Sequence, residues 1–155
     1  MYQRILVAID GSDISYLALD HAVQLAEHQK AQLRIVHVVE LLGYAGSMAD
    51  GAAFDPSQLW EALRDQGRQA LSVAEARAHS AGVEAETVML EGDDVSQRVA
   101  ATVAEDAKQW AANLIVLGTH GRRGFHRILL GSVAETLVRM APAPVLLVPA
   151  QSQIN

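Results

Sequence analysis

Cysteine is absent from the 155 residues, which excludes disulfides, thiol nucleophiles and cysteine-ligated zinc or iron–sulfur sites. Lysine is nearly absent too. Only Lys30 and Lys108 occur, neither inside a G-x-x-x-x-G-K-[ST] phosphate loop, and no G-x-G-x-x-G follows the first apolar run. No apolar run approaches the ~20 residues of a membrane span. Basic charge is in deficit, with 12 Lys and Arg against 18 Asp and Glu and a net charge of −6. That balance argues against non-specific binding to nucleic acid or anionic membrane, which needs a basic face. The N-terminal residues Met1–Leu6 enter a strand pattern without a signal-peptide layout, so a cytoplasmic protein is expected.

What is present is apolar: 50% of residues are hydrophobic and 19% charged, the balance of a globular chain. The length suits a single domain over residues 1–155, with a core that needs no staples. Short apolar runs bounded by turn residues read as strands over 4–9, 32–39, 83–90, 113–117 and 145–148. Between them, helical patterns cover 14–29, with Ser12 or Asp13 as cap, and 56–80, with Asp55 as cap and Pro56 in the first turn. Further helices are expected over 95–110 and 132–140, and Gly82 is read as closing the second. Residues 40–54 show no period and read as a long loop.

Strict β-α alternation predicts a doubly wound, Rossmann-like α/β fold whose five-stranded parallel sheet is covered on both faces. A strand order of 3-2-1-4-5 places the switch point between the first and fourth strands, where ligands sit beyond the carboxyl ends. The two best turn signals then converge on one crevice. One is Asp10-Gly11-Ser12; the other is Gly118-Thr-His-Gly121, followed after nine residues by Gly131-Ser132. Glycines leading from a strand into a helix N-terminus let backbone N–H groups approach a phosphate, with the helix dipole adding positive charge. The connection from Gly118 to Gly131 has 12 intervening residues, against about 2–6 in most βα turns. It carries Arg122, Arg123, Arg127, His120 and His126 and no acidic residue, which suits polyphosphate. The plain alternative is a pair of ordinary turn glycines in a solvated basic loop.

The spaced glycines, together with V-A-I-D-G-S at 7–12, H-V-V at 37–39 and A-P-A-P-V-L-L-V-P at 141–149, resemble the universal stress protein family along the whole chain. The resemblance implies a fold of the adenine-nucleotide alpha-hydrolase-like kind. The G-x2-G-x9-G-[ST] motif implies membership of the subgroup that binds ATP. By position, it implies Asp10 near the ribose and a phosphate-bound Mg2+ or Mn2+, with Ala8 in backbone contact and Val38 meeting the adenine through its main chain. Leu117 would also contact the nucleotide, Gly118 and Gly121 would let the loop close over ribose and phosphates beside Arg122, and Gly131, Ser132 and Val133 would hold phosphate oxygens. It also implies a homodimer, which the apolar edge strand Val145–Val148 independently favours. The chain departs from many relatives in having Ala143 where they have cysteine.

Two other functions remain open at this level: a slow ATP hydrolase or phosphoryl-transfer enzyme, and a nucleotide-free interaction dimer. The missing phosphate-loop lysine, and the lack of an evident water-activating base, weigh against fast chemistry. Several residues carry plainer readings. Asp10 could cap the first helix, and Asp93-Asp94 the third. His21 and His28 lack the i,i+4 spacing of paired helical ligands and read as surface residues. Glu61, Arg64 and Arg68 read as a solvated face, and Trp60 and Trp110 as packing residues.

Overall fold

A computed structural model describes residues 1–40, 55–91, 98–120 and 130–150 of the chain. Branched aliphatic runs form β1 (Arg4–Ala8), β2 (Gln32–Val39), β3 (Ala85–Glu91), β4 (Leu114–Gly118) and β5 (Val145–Val148). Amphipathic stretches between them form α1 (Asp13–Gln29), α2 (Pro56–Ser80), α3 (Arg98–Gln109) and α4 (Ser132–Met140). The five strands make one sheet in the order β3-β2-β1-β4-β5, and every pairing is parallel. β1 is central, with Leu6 in register with Arg34 on one side and Ile115 on the other.

Side-chain alternation along the strands divides the core into two layers. Ile5, Val7, Ile35 and Val116 face α1 and α2, meeting Leu19, Ala22, Ala70 and Ala74. Leu6, Val36, Ile115 and Leu117 face α3 and α4, meeting Val103, Ala104, Ala134 and Leu137. The second layer also holds a charge. Arg34 on β2 reaches Asp106 of α3 at 2.8 Å and Glu86 of β3 at 3.2 Å, and lies 5.6 Å from the ring centre of Trp110. Trp110 is therefore a packing partner, as expected; Trp60 lies against Arg64 in the same way, 5.7 Å away.

The helix ends explain most small differences from the expected boundaries. Ser12 caps α1, its Oγ accepting the Ser15 N–H at 3.2 Å. Asp55 caps α2, and the hydrogen bonds donated by Ser57, from hydroxyl and backbone, hold its carboxyl below the usual aspartate range. Arg64 does the same for Glu91 at the end of β3, donating from Nε at 2.7 Å and tying α2 to the sheet. β3 begins at Ala85 instead of Val83 because Val83 still belongs to the end of α2. Gly82, at φ +74°, donates to His79 O, and Val83 donates to Ala78 O, a Schellman closure. β4 runs one residue later than expected because Asn113 turns its side chain to β1, where Oδ1 accepts the N–H groups of Gln3 and Arg4. Loop 41–54 and Asp93-Asp94 lie outside the described residues.

Candidate functional site

The candidate site lies where β1 and β4 end side by side. Ala8 closes β1, half-buried and paired with Val36, and Ile9 continues the ladder by donating to Val36 O at 2.9 Å. The chain then turns sharply. Asp10 Oδ1 accepts the Ser12 N–H at 2.9 Å, and Gly11 takes φ +83°, a conformation that favours glycine. Asp10 thus shapes the turn before α1 while Ser12 supplies the cap. The reading of Asp10 as the cap of α1 is therefore corrected: the carboxylate holds the turn, and the hydroxyl of Ser12 caps the helix.

On the neighbouring strand, Leu117 is buried, so it can offer a ligand only its main chain. Gly118 packs against the first turn of α1. A Cβ at position 118 would stand 2.5 Å from Ile14 Cγ2 and 3.3 Å from the Ile14 backbone, so only glycine lets the two turns come this close. Thr119 then donates to Val148 O at 3.0 Å, extending the β4–β5 ladder by one bond.

The chain re-enters beside this point. Gly131 donates to Thr119 O at 2.8 Å and serves as N-cap of α4, without a side-chain capping bond. The first helical bond of α4 is Glu135 N–H to Gly131 O, at 2.9 Å. The first-turn amides of Ser132, Val133 and Ala134 precede it, and helix geometry leaves such groups without intrahelical partners. Ser132 and Val133 are exposed. His120 stands at the rim, its Cα 3.5 Å from where a Gly131 Cβ would be. Its Nδ1 lies 3.0 Å from Thr119 Oγ1, and its Nε2 is buried with no hydrogen-bond partner among the described residues.

A helix opening on a close-packed glycine, at the switch point of a 3-2-1-4-5 sheet, is an arrangement suited in general to receiving an anion. Residues 1–149 match the universal stress protein family. The chain belongs to that family. A universal stress protein of Methanocaldococcus jannaschii is 37% identical over 148 residues, covering 96% of this chain and 82% of the relative. The crystal structure of a universal stress protein family member from Burkholderia pseudomallei superposes with a TM-score of 0.73 at 38% identity, covering 96% of this chain and 97% of the other. The crystal structure of a universal stress protein in complex with cAMP gives a TM-score of 0.69 at 27% identity, covering 95% and 97%.

Within this universal stress protein fold, the expected site residues fall into three groups. Ala8, Asp10, Leu117, Gly118 and Gly131 stand at the adjoining ends of β1 and β4, and Ser132 and Val133 open α4 next to them. Val38 lies on β2, half-buried near the strand's carboxyl end and in register with Leu90. Gly121 and Arg122 lie outside the described residues, as do Arg123, His126 and Arg127. Among the described residues no group of three or more metal-ligating side chains occurs, and no helix is long and apolar enough to cross a membrane. The carboxylate of Asp10, at the end of β1, still fits Mg2+, which takes one or two carboxylates together with phosphate oxygens. Sequence reasoning missed the buried His37 behind the Asp10 turn. Its signal was a lone polar residue on the inward face of an otherwise aliphatic strand.

Proposed function

We propose that this chain is an adenine-nucleotide-binding stress-response module whose ligand is ATP, with occupancy setting its conformation or its choice of partner. The observation that carries this reading is the start of α4: Gly131 is held on Thr119 O, no side chain caps the helix, and its first amides open at the switch point. The cAMP complex of a 27% identical neighbour supports an adenine ligand in this fold. Gly131, Ser132 and Val133 would receive the phosphates, with Gly121 and Arg122 closing over them. Asp10 would face the ribose and a phosphate-bound Mg2+ or Mn2+. Ala8, Val38, Leu117 and Gly118 would line the nucleoside through their backbone. The Nε2 of His120, which has no hydrogen-bond partner among the described residues, favours a second reading, slow ATP hydrolysis, because an imidazole at this position could meet a phosphate or its water.

Denaturing the purified protein and identifying released nucleotide by chromatography and mass spectrometry tests both readings. Near-stoichiometric ATP is the expected result, and ADP would favour hydrolysis. Added ATP at 100 times its Kd should stabilise the empty protein by about 2.7 kcal/mol, raising Tm by roughly 5–10 °C. An empty protein whose Tm ignores millimolar ATP would leave the nucleotide-free interaction dimer as the surviving function.

The proposed unit is a cytoplasmic homodimer joined through β5. This strand is the sheet edge beside β4, with Leu146 37% exposed, and Val138 and Met140 of α4 also present apolar surface. An unpaired apolar edge is a template for a second strand, and pairing about a two-fold axis removes it. Sedimentation of the wild type should report a dimer and Leu146→Lys a monomer. Equal sedimentation of the two would remove β5 from the interface.

A further inference from the structure

His37 is 6% exposed on a strand whose neighbouring inward positions are Leu33, Ile35 and Val39. Its ring spans two elements. On one side Nδ1 lies 3.0 Å from the carbonyl oxygen of Ile9, which can only accept, so Nδ1 carries the proton. On the other side the ring presses against α2 at Gly67. A Cβ at position 67 would stand 2.8 Å from His37 Cδ2, 3.2 Å from Nε2 and 3.0 Å from Met89 Sδ. Gly67 sits inside a helix of 25 residues, where glycine opposes helix formation, and its φ is not in the left-handed range. What the glycine supplies is therefore room for the imidazole.

The acceptor of that bond is the last residue before Asp10. The Ile9 N–H goes to Val36 O at 2.9 Å and the Ile9 C=O receives His37, so the residue is tied at both ends. Its carbonyl belongs to the peptide that leads into Asp10, and the plane of that peptide sets the direction in which the Asp10–Ser12 turn leaves the sheet.

We propose that His37, seated in the slot left by Gly67, is a positioning residue for the nucleotide site: it holds the Ile9–Asp10 peptide and thereby the Asp10 turn. Its consequence for affinity rests on the nucleotide-binding reading above; its consequence for the turn does not. His37→Phe keeps an aromatic ring in the slot and removes the donor, and His37→Asn returns a donor near Nδ1. Amide exchange by NMR on nucleotide-free protein, with ATP calorimetry alongside, separates the outcomes. In H37F the Ser12 amide, bonded to Asp10 Oδ1, should exchange about tenfold faster than in wild type, and ATP should bind about tenfold more weakly, the scale of one net hydrogen bond. Core amides such as Ile115 should keep their relative protection, and H37N should recover most of both losses. Uniform acceleration across Ser12 and Ile115, or no change at Ser12, would overturn the proposal. Faster Ser12 exchange in a protein that binds no ATP even as wild type would sink the nucleotide reading and leave the positioning role standing. Should H37F fail to fold, Gly67→Ala displaces the ring from the other side, and unchanged Ser12 exchange there would count equally against the proposal.

Discussion

Replacing Gly131 with valine is expected to weaken ATP binding at least a hundredfold, about 2.7 kcal/mol, while the protein remains folded. The backbone at Gly131, φ −62° and ψ 152°, is open to any residue, so the substitution brings no conformational strain. The difficulty is space. Even a Cβ would stand 2.9 Å from Thr119 O, a backbone atom of a residue whose own N–H is anchored to Val148 O. The start of α4 must therefore retreat, losing the Gly131–Thr119 hydrogen bond and moving the amides that would receive phosphate. The branched side chain adds bulk at the same mouth. Overpacking of this kind costs about 1–3 kcal/mol of stability, so circular dichroism should show a native spectrum with a lowered Tm. Gly131→Ala should fall between the two. Titration calorimetry decides the matter: wild-type affinity in G131V would mean that the phosphates bind elsewhere.

Asp106→Ala should have the largest effect on stability, a loss of about 3 kcal/mol by urea denaturation. Asp106 is 9% exposed and Arg34 15%, and they meet at 2.8 Å between sheet and helix. Removing the carboxylate leaves a guanidinium in the apolar layer, where its Nε already lacks a partner among the described residues. Glu86, half in solvent, remains as a second partner and keeps the cost at the lower end of the range for a broken buried pair. Replacing both members, Arg34→Met with Asp106→Leu, removes charge and countercharge together and should return stability to near the wild-type value. A loss under about 1 kcal/mol in D106A would mean that the pair behaves as a surface ion pair. ATP affinity should be unaffected. Arg34 is in register with Leu6, four residues before Asp10 and roughly 13 Å from it along the strand. D106A should thus lower stability and leave binding alone, whereas G131V should weaken binding together with a part of the stability.

The glycines at 118 and 131 were legible in the chain as turn positions, and so were the ends of β5 and α4, because apolar runs, helical periodicity and glycine in turns are properties of neighbouring residues. Gly82 could be read as the close of α2 for the same reason. The matching closures of α1 and α3 could not. They place Lys30 and Ala111 at φ +55° and +56°, residue types that give no sign of the left-handed conformation. The chain also marked Gly118 and Gly131 as turn glycines without showing why each is needed. That depends on Ile14 in one case and Thr119 in the other, distant in sequence and brought close by the packing of β4 against α1 and α4.

The sequence by itself determined the β-α order, the two-faced apolar layering and the turn glycines at the ends of β1 and β4, since hydrophobic period and turn chemistry are written locally. Only the tertiary structure decided that a histidine would be buried against Gly67 and donate to a carbonyl 28 residues earlier. It likewise decided that an arginine in the strand pattern would find its carboxylate 72 residues later. Such pairings satisfy buried polar groups, and the partner that satisfies them is chosen by the crossing of helices over the sheet, which no local pattern encodes.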